Sequence, residues 1–192
     1  QMISLICQAQ QTLALRISRT QMDNRYFSFF FFLLSLIVVP QDTFAASSQS
    51  KAQEAIKNKK FMEEIIDKLS EDEHPRKGVT IENLSKLKPA FKENGTVTAG
   101  NSSGINDGSA AVLLMTRDES EKRGLVPLAK IVSWATCGVD PALMGSGPIP
   151  ASKKALEKAR WAINDLDLVE SNEAFAAQSI AVIKELSIPV EK

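Results

Sequence analysis

The sequence predicts an α/β chain, and three observations carry that expectation. Asp165 to Val169 alternates acidic and aliphatic residues and then runs apolar, as a short strand does, before the Ala-rich, Gly- and Pro-free stretch from Glu173 that reads as a helix. Leu128 to Ala135 reads as a buried strand. Ala151 to Ala162, between the two, has the pattern of an amphipathic helix. Strand, helix, strand, helix at this spacing makes a βαβα unit with parallel pairing. In open sheets of this kind ligands bind at the turn beyond a strand's carboxyl end, where the first N–H groups of the helix lack partners and its dipole favours negative charge. Asn172 and Glu173 occupy such a turn. An Asn there also suits a plain structural role, as the N-cap of the helix.

Composition narrows the function classes. The 192 residues suit one domain or two, and 44% hydrophobic residues suffice for a core. Charge is balanced at 23 basic against 23 acidic residues, so there is no electrostatic case for nucleic acid or an anionic surface. Cys7 and Cys137 stand far apart, with neither disulfide nor metal spacing, which favours a reducing compartment. His74 is the single histidine, so a His-built metal site is excluded.

Taken in order, Gln1 to Thr20 is polar and aliphatic without clear caps, and Phe27 to Val39 is an apolar run that ends at Pro40. The run is shorter than the roughly 20 residues that span a bilayer. A secretory signal, with Arg16, Arg19 and Arg25 ahead of a short apolar core, is one account of it. Thr43 to Leu69 has helical periodicity, with Phe44, Ser48, Ala52, Ala55 and Ile56 on one face and Phe61, Ile65, Ile66 and Leu69 in a second amphipathic stretch. Ser70 to Gly78 is a charged loop that carries His74, read as an inert solvated histidine. Thr80 to Leu87 is a short amphipathic turn. Lys88 to Gly108 is rich in Gly, Ser, Thr and Asn, and reads either as a connection or as a loop whose small side chains let a ligand approach the backbone. Asn106 to Met115 runs from a capped, small-residue helix into a buried strand, and Asp118 to Arg123 is a short charged helix ended by Gly124. Cys137 precedes Gly-Val-Asp-Pro with no nearby base, so it reads as structural. Asp140 to Pro150 is a Gly/Pro loop that carries Met144.

Asn172-Glu173-Ala174-Phe175-Ala176, placed after an acidic-aliphatic strand, resembles the signature of the thiolases, the acetyl-CoA acyltransferases. Leu87-Lys88-Pro89-Ala90-Phe91, the run Gly95 to Gly108, Ile131 to Ala135 and Met144 to Ala151 resemble the same family, in order, over roughly residues 41 to 192. Agreement of several motifs over that length is a far stronger signal than any one of them. The resemblance implies an incomplete thiolase-like α/β fold: the end of the loop domain, the last strand and helix of the first half, and the opening βαβα of the second. It divides the chain into a non-family segment 1–40, a loop-domain remnant with helices over 41–105, the end of the N-terminal half over 106–127, and the start of the C-terminal half over 128–192. Thiolases often carry Ile-Ser-Arg and Gln-Asp-x-Phe-Ala on one helix. Here Ile17-Ser18-Arg19 and Gln41-Asp42-Thr43-Phe44-Ala45 flank the apolar run, as if residues from about Asn24 to Pro40 interrupted that helix.

The same resemblance implies the chemistry. Ala99, Ser102, Ser103 and Ile105 would line the pantetheine arm of coenzyme A, supported by Phe91, and Asn83 falls near the nucleotide end. Met144, Ala174 and Phe175 would line the acyl pocket, and Glu173 would buttress the loop. Asn172 would hold the water of an oxyanion site, a donor typically worth about 3–4 kcal/mol of barrier. No cofactor is implied beyond the coenzyme A thioester substrate, and the implied partners are acyl-CoA and thiolase subunits, without nucleic acid or membrane. The family's nucleophilic Cys, its second Cys and its catalytic His have no counterpart in the matched part. The expectation is therefore a fragment inactive alone, or a non-catalytic CoA-binding or assembly module, or a membrane-anchored chain using residues 27–39. Similarity to short-chain biosynthetic members implies a cytoplasmic setting, mitochondria being the family's other compartment.

Overall fold

A computed structural model describes residues 38–65 and 72–192. The apolar run through residue 37, Cys7 and the end of the helical stretch expected up to Leu69 lie outside the described residues. Helix α1 is Val38–Lys57, α2 Ile81–Leu84, α3 Arg117–Lys122, α4 Pro148–Ala159 and α5 Ala176–Leu186, with 3₁₀ turns at Pro141–Ser146 and Ile163–Asp165. Prolines open two of these helices. Pro40 lies in the first turn of α1 and Pro148 starts α4, where a missing N–H costs nothing because those donors have no intrahelical acceptor. Thr80 caps α2 by accepting from the Asn83 N–H. Glu82, in the same first turn, has its carboxyl held below the usual range by its backbone N–H and the Thr80 hydroxyl.

Three helices end alike. In each, a residue in the left-handed region turns the chain and two N–H groups reach back to the last carbonyls, the Schellman arrangement. In α1 these are Lys60 N–H to Ala55 O and Lys59 N–H to Ile56 O, both 3.0 Å, with φ 54° at Lys59. In α4 they are Trp161 to Leu156 and Arg160 to Glu157, with φ 58° at Arg160, and in α5 Ile188 to Ile183 and Ser187 to Lys184, with φ 54° at Ser187. This turn is why the helix expected over Thr43–Leu69 stops at Lys57, leaving Phe61, Met62 and Ile65 exposed in the turns beyond. Arg160 is exposed and pays the left-handed penalty without a glycine's freedom. Arg160→Gly is expected to raise stability by about 1 kcal/mol; a urea-unfolding midpoint at or below the parent's would contradict this.

α1 packs on α2 and α5, and α5 also packs on α4 and on the 3₁₀ turn Pro141–Ser146. The face expected from periodicity is the inward one, since Phe44, Ser48, Ala52, Ala55 and Ile56 are all partly buried. At its N-terminal end, however, the deepest residues are Gln41, Asp42 and Ala45, so polar groups enter the interior there. Ala45, Leu84 and Ala176 form the central apolar contact, flanked by Phe44, Ala46 and Val79. Leu84 also touches the loop: a Cβ on Gly100 would lie 2.5 Å from terminal methyl carbons of both Leu84 and Leu87, so a larger residue there would have to displace them.

Among the described residues no strand ladder forms, and pairing is confined to isolated bridges between Pro89 and Thr98 and between Ser102 and Phe175. The segments expected as strands, at the end of Asn106–Met115, in Leu128–Ala135 and in Asp165–Val169, run without regular hydrogen bonding, and the small-residue helix expected at the start of Asn106–Met115 does not form. A strand is held by its neighbours' backbone, and here the neighbour is a helix. Ser133 Oγ donates to Ala155 O at 2.6 Å and Lys158 Nζ to Trp134 O at 3.0 Å, which lashes the Leu128–Ala135 segment to α4. Lys158 Nζ also stands 5.3 Å from the centre of the Trp134 ring, a cation–π contact. Leu166 is buried, while Val112, Leu113, Leu114, Leu128 and Trp134 are left mostly in solvent.

Candidate functional site

The loop from Thr96 to Ser103 is built around one amide. Asn101, 5% exposed, accepts at Oδ1 from the Thr98 N–H (2.9 Å) and donates from Nδ2 to the Thr96 carbonyl (3.0 Å). Its second Nδ2 hydrogen reaches the Asp42 carboxylate on α1, 3.1 Å away and itself buried. Gln41 Nε2 adds a contact to Thr96 Oγ1 at 3.3 Å. Ser102 Oγ donates to Thr98 O at 2.7 Å, tightening the turn at Ala99 and Gly100. A buried carboxylate and a buried amide are tolerated here because each is the other's partner.

That loop docks on the start of α5. The N-cap of α5 is Phe175, whose side chain offers no acceptor, and the Ala176 N–H goes instead to the Asn101 carbonyl at 3.0 Å. One of the helix's orphan donors is thus satisfied by the loop. Ser103 N–H donates to the Ala174 carbonyl at 3.0 Å, and Ser102 bridges to Phe175. The Phe91 and Phe175 rings meet edge to face, centroids 6.0 Å apart at 75°, which ties the preceding loop to the same point. Ser48 Oγ of α1 donates to Glu173 Oε2 at 2.6 Å.

Of the residues singled out from sequence, the structure brings together Phe91, Ser102, Ser103, Ala174 and Phe175. Ala99 is exposed, and so is Asn172. It is not the helix N-cap, because α5 begins only after Phe175. Ile105 stands fully in solvent, and Met144, about half exposed, sits on the 3₁₀ turn that packs against α5. Asn83 is spent on α2, its Nδ2 donating to Gly78 O. Sequence reasoning passed over Asp42, Ser48 and Asn101, which hold the site together. The helical pattern gave no signal for Asp42, which precedes the stretch expected from Thr43 and lies off its apolar stripe, yet is buried where only a paired carboxylate is stable. His74 belongs to an exposed loop, as expected, and its ring lies close to Gly104, where an added Cβ would stand 2.7 Å from its Cε1. Among the described residues no three His, Cys, Asp or Glu side chains gather as metal ligands.

Comparison with known proteins meets this geometry. Residues 39–118 match the family model of the thiolase N-terminal domain, and residues 125–192 match that of the thiolase C-terminal domain. The acetyl-CoA acetyltransferases of Rhizobium meliloti and Paracoccus denitrificans are each 56% identical over 156 residues, covering 76% of this chain and 40% of the relative. Among solved structures, the Bacillus anthracis acetyl-CoA acetyltransferase superposes with a TM-score of 0.79 at 44% identity, over 88% of this chain and 45% of that one. Human mitochondrial 3-ketoacyl-CoA thiolase in complex with CoA superposes with a TM-score of 0.80 at 40% identity, over 87% and 44%. The chain therefore spans about 40% of the length of the curated relatives it matches.

Proposed function

Because the chain belongs to the thiolase family, with an α/β thiolase-like fold, we propose that it presents one wall of an acyl-CoA site and does not complete the reaction alone. The observation that carries this is the docking of Ser102 and Ser103 on Ala174 and Phe175, with Asn172 exposed just ahead of Ala174 in the chain. On this reading Ala99, Ser102, Ser103 and Ile105, backed by Phe91, run along the pantetheine arm, and Ala174, Phe175 and Met144 face the acyl end. The Asn172 amide orients a water toward the thioester oxygen, where it stabilises charge developing in the transition state. The ligand is a coenzyme A thioester, with no other cofactor, and the setting is cytoplasmic acyl-CoA metabolism. Among the described residues no helix is long and apolar enough to cross a membrane.

Acyl transfer in this family needs a thiolate to take the acyl group and a base to move protons. The thiols and the imidazole of this sequence are Cys7, Cys137 and His74. None stands in a matching motif. An oxyanion donor and bound substrate without a nucleophile leave at most about 10³–10⁴-fold over the uncatalysed reaction. The purified chain is expected to bind CoA by titration calorimetry and to show no thiolysis of acetoacetyl-CoA at enzymatic rates. Turnover at the rate of an intact acetyltransferase would overturn the second half of this reading, and absence of CoA binding the first. A second reading, in which the chain is an assembly module for full-length thiolase subunits, is favoured by the exposed apolar residues Val112 to Leu114, Leu128 and Trp134. Co-purification with an intact homologue tests it.

A further inference from the structure

We infer that Asn101, gripped by Asp42, is a positioning residue that sets the ligand loop in register with the Asn172 turn; this rests on the CoA reading above. Its amide can sit in one orientation only. Turned over, Oδ1 would face two other acceptors, the Asp42 carboxylate and the Thr96 carbonyl, while Nδ2 would meet the Thr98 N–H. With both Nδ2 hydrogens and Oδ1 engaged at 3.1 Å or less, the residue's own carbonyl is aimed, and that carbonyl receives the Ala176 N–H. Ser103 N–H to Ala174 O is the second strut. Loop 98–103 and turn 172–175 therefore move as one body whose reference point is helix α1, far in sequence from both. The mechanism is indirect: Asn101 is itself 5% exposed and offers nothing to a ligand, but it sets the spacing between the serines on one side and the Asn172 amide on the other.

Asn101→Asp puts an acceptor where the donor stood, against Asp42 and Thr96 O. Adding Asp42→Asn restores a donor–acceptor pair between positions 42 and 101 with the roles exchanged, and leaves the opposition to the Thr96 carbonyl in place. Val182→Ala, on the buried side of α5 and outside the loop, serves as a destabilised control. CoA affinity of the full 192-residue chain is measured by calorimetry well below each unfolding midpoint. Directly coupled residues interact by amounts that translate into roughly tenfold in affinity, whereas a distant cavity leaves binding within about twofold. The expected result is about a tenfold loss in N101D, part of it recovered in D42N/N101D, and near-parental affinity in V182A. N101D binding no worse than V182A, or no recovery in the double variant, would overturn the positioning role. If the parent chain binds no CoA, the ligand reading fails, and amide exchange at Thr98 and Ala176 decides the rest. Faster exchange in N101D than in V182A, partly reversed in the double variant, sustains the inference; equal rates overturn it.

Discussion

Leu84→Ala is expected to lower the unfolding free energy by about 3 kcal/mol, within the range for a leucine whose loss leaves a cavity. Leu84 is 5% exposed and packs on Ala45 of α1 and Ala176 of α5. Those two neighbours are alanines on helices that meet there, too short to fill the space themselves. Leu84 also touches the ligand loop at Gly100. Removing it withdraws support from α1, α5 and the ligand loop together, and against a typical stability of about 5–15 kcal/mol the loss is large. Urea unfolding followed by far-UV circular dichroism measures it; a loss below about 1 kcal/mol would mean that the site collapses around the alanine.

The largest effect on solution behaviour is expected from the segments between α2 and α4. Val112 is 76% exposed, Leu114 66%, Leu128 104% and Trp134 68%, in stretches that form no strand ladder. Burying such side chains gains about 1.5–3 kcal/mol each, so four of them supply roughly 6–12 kcal/mol of gross driving force. That rivals the estimated cost of association, about 4–15 kcal/mol, before backbone pairing is added. Unpaired edges with apolar side chains are templates for further strands. The chain is expected to self-associate at micromolar concentration, and the combined change of these four residues to serine to yield a monomer with the same helical circular dichroism. Sedimentation velocity decides: a monodisperse parent monomer would sink the idea.

How much of this could be read from sequence differs by element. Helical periodicity placed the buried stripe of α1 correctly, and Gly124 ended α3 as expected because its φ of 65° suits glycine. Prolines were misleading. Pro40 and Pro148 to Pro150 read as the end of one run and as a loop, whereas they form first turns of α1 and α4, the place where proline is harmless. Helix ends at Lys59, Arg160 and Ser187 were illegible because no glycine announces them. Asn172 read equally well as a cap. Only the structure shows the capping to come from Asn101, a residue 75 positions before Ala176 that short-range pattern cannot connect to it. The strands were legible as sequence patterns, but a ladder depends on what lies alongside, and among the described residues that is helix α4.

The contact between His74 and Gly104 has a practical consequence. Because the chain holds a single histidine, its ring Hε1 gives one downfield resonance apart from those of the nine Phe, one Tyr and two Trp rings, and needs no assignment strategy. The imidazole lies against the backbone three residues beyond Asn101, so anything seated among the serines alters its magnetic surroundings. One-dimensional proton spectra collected during a titration with CoA would thus watch the loop from a vantage that mutagenesis leaves untouched.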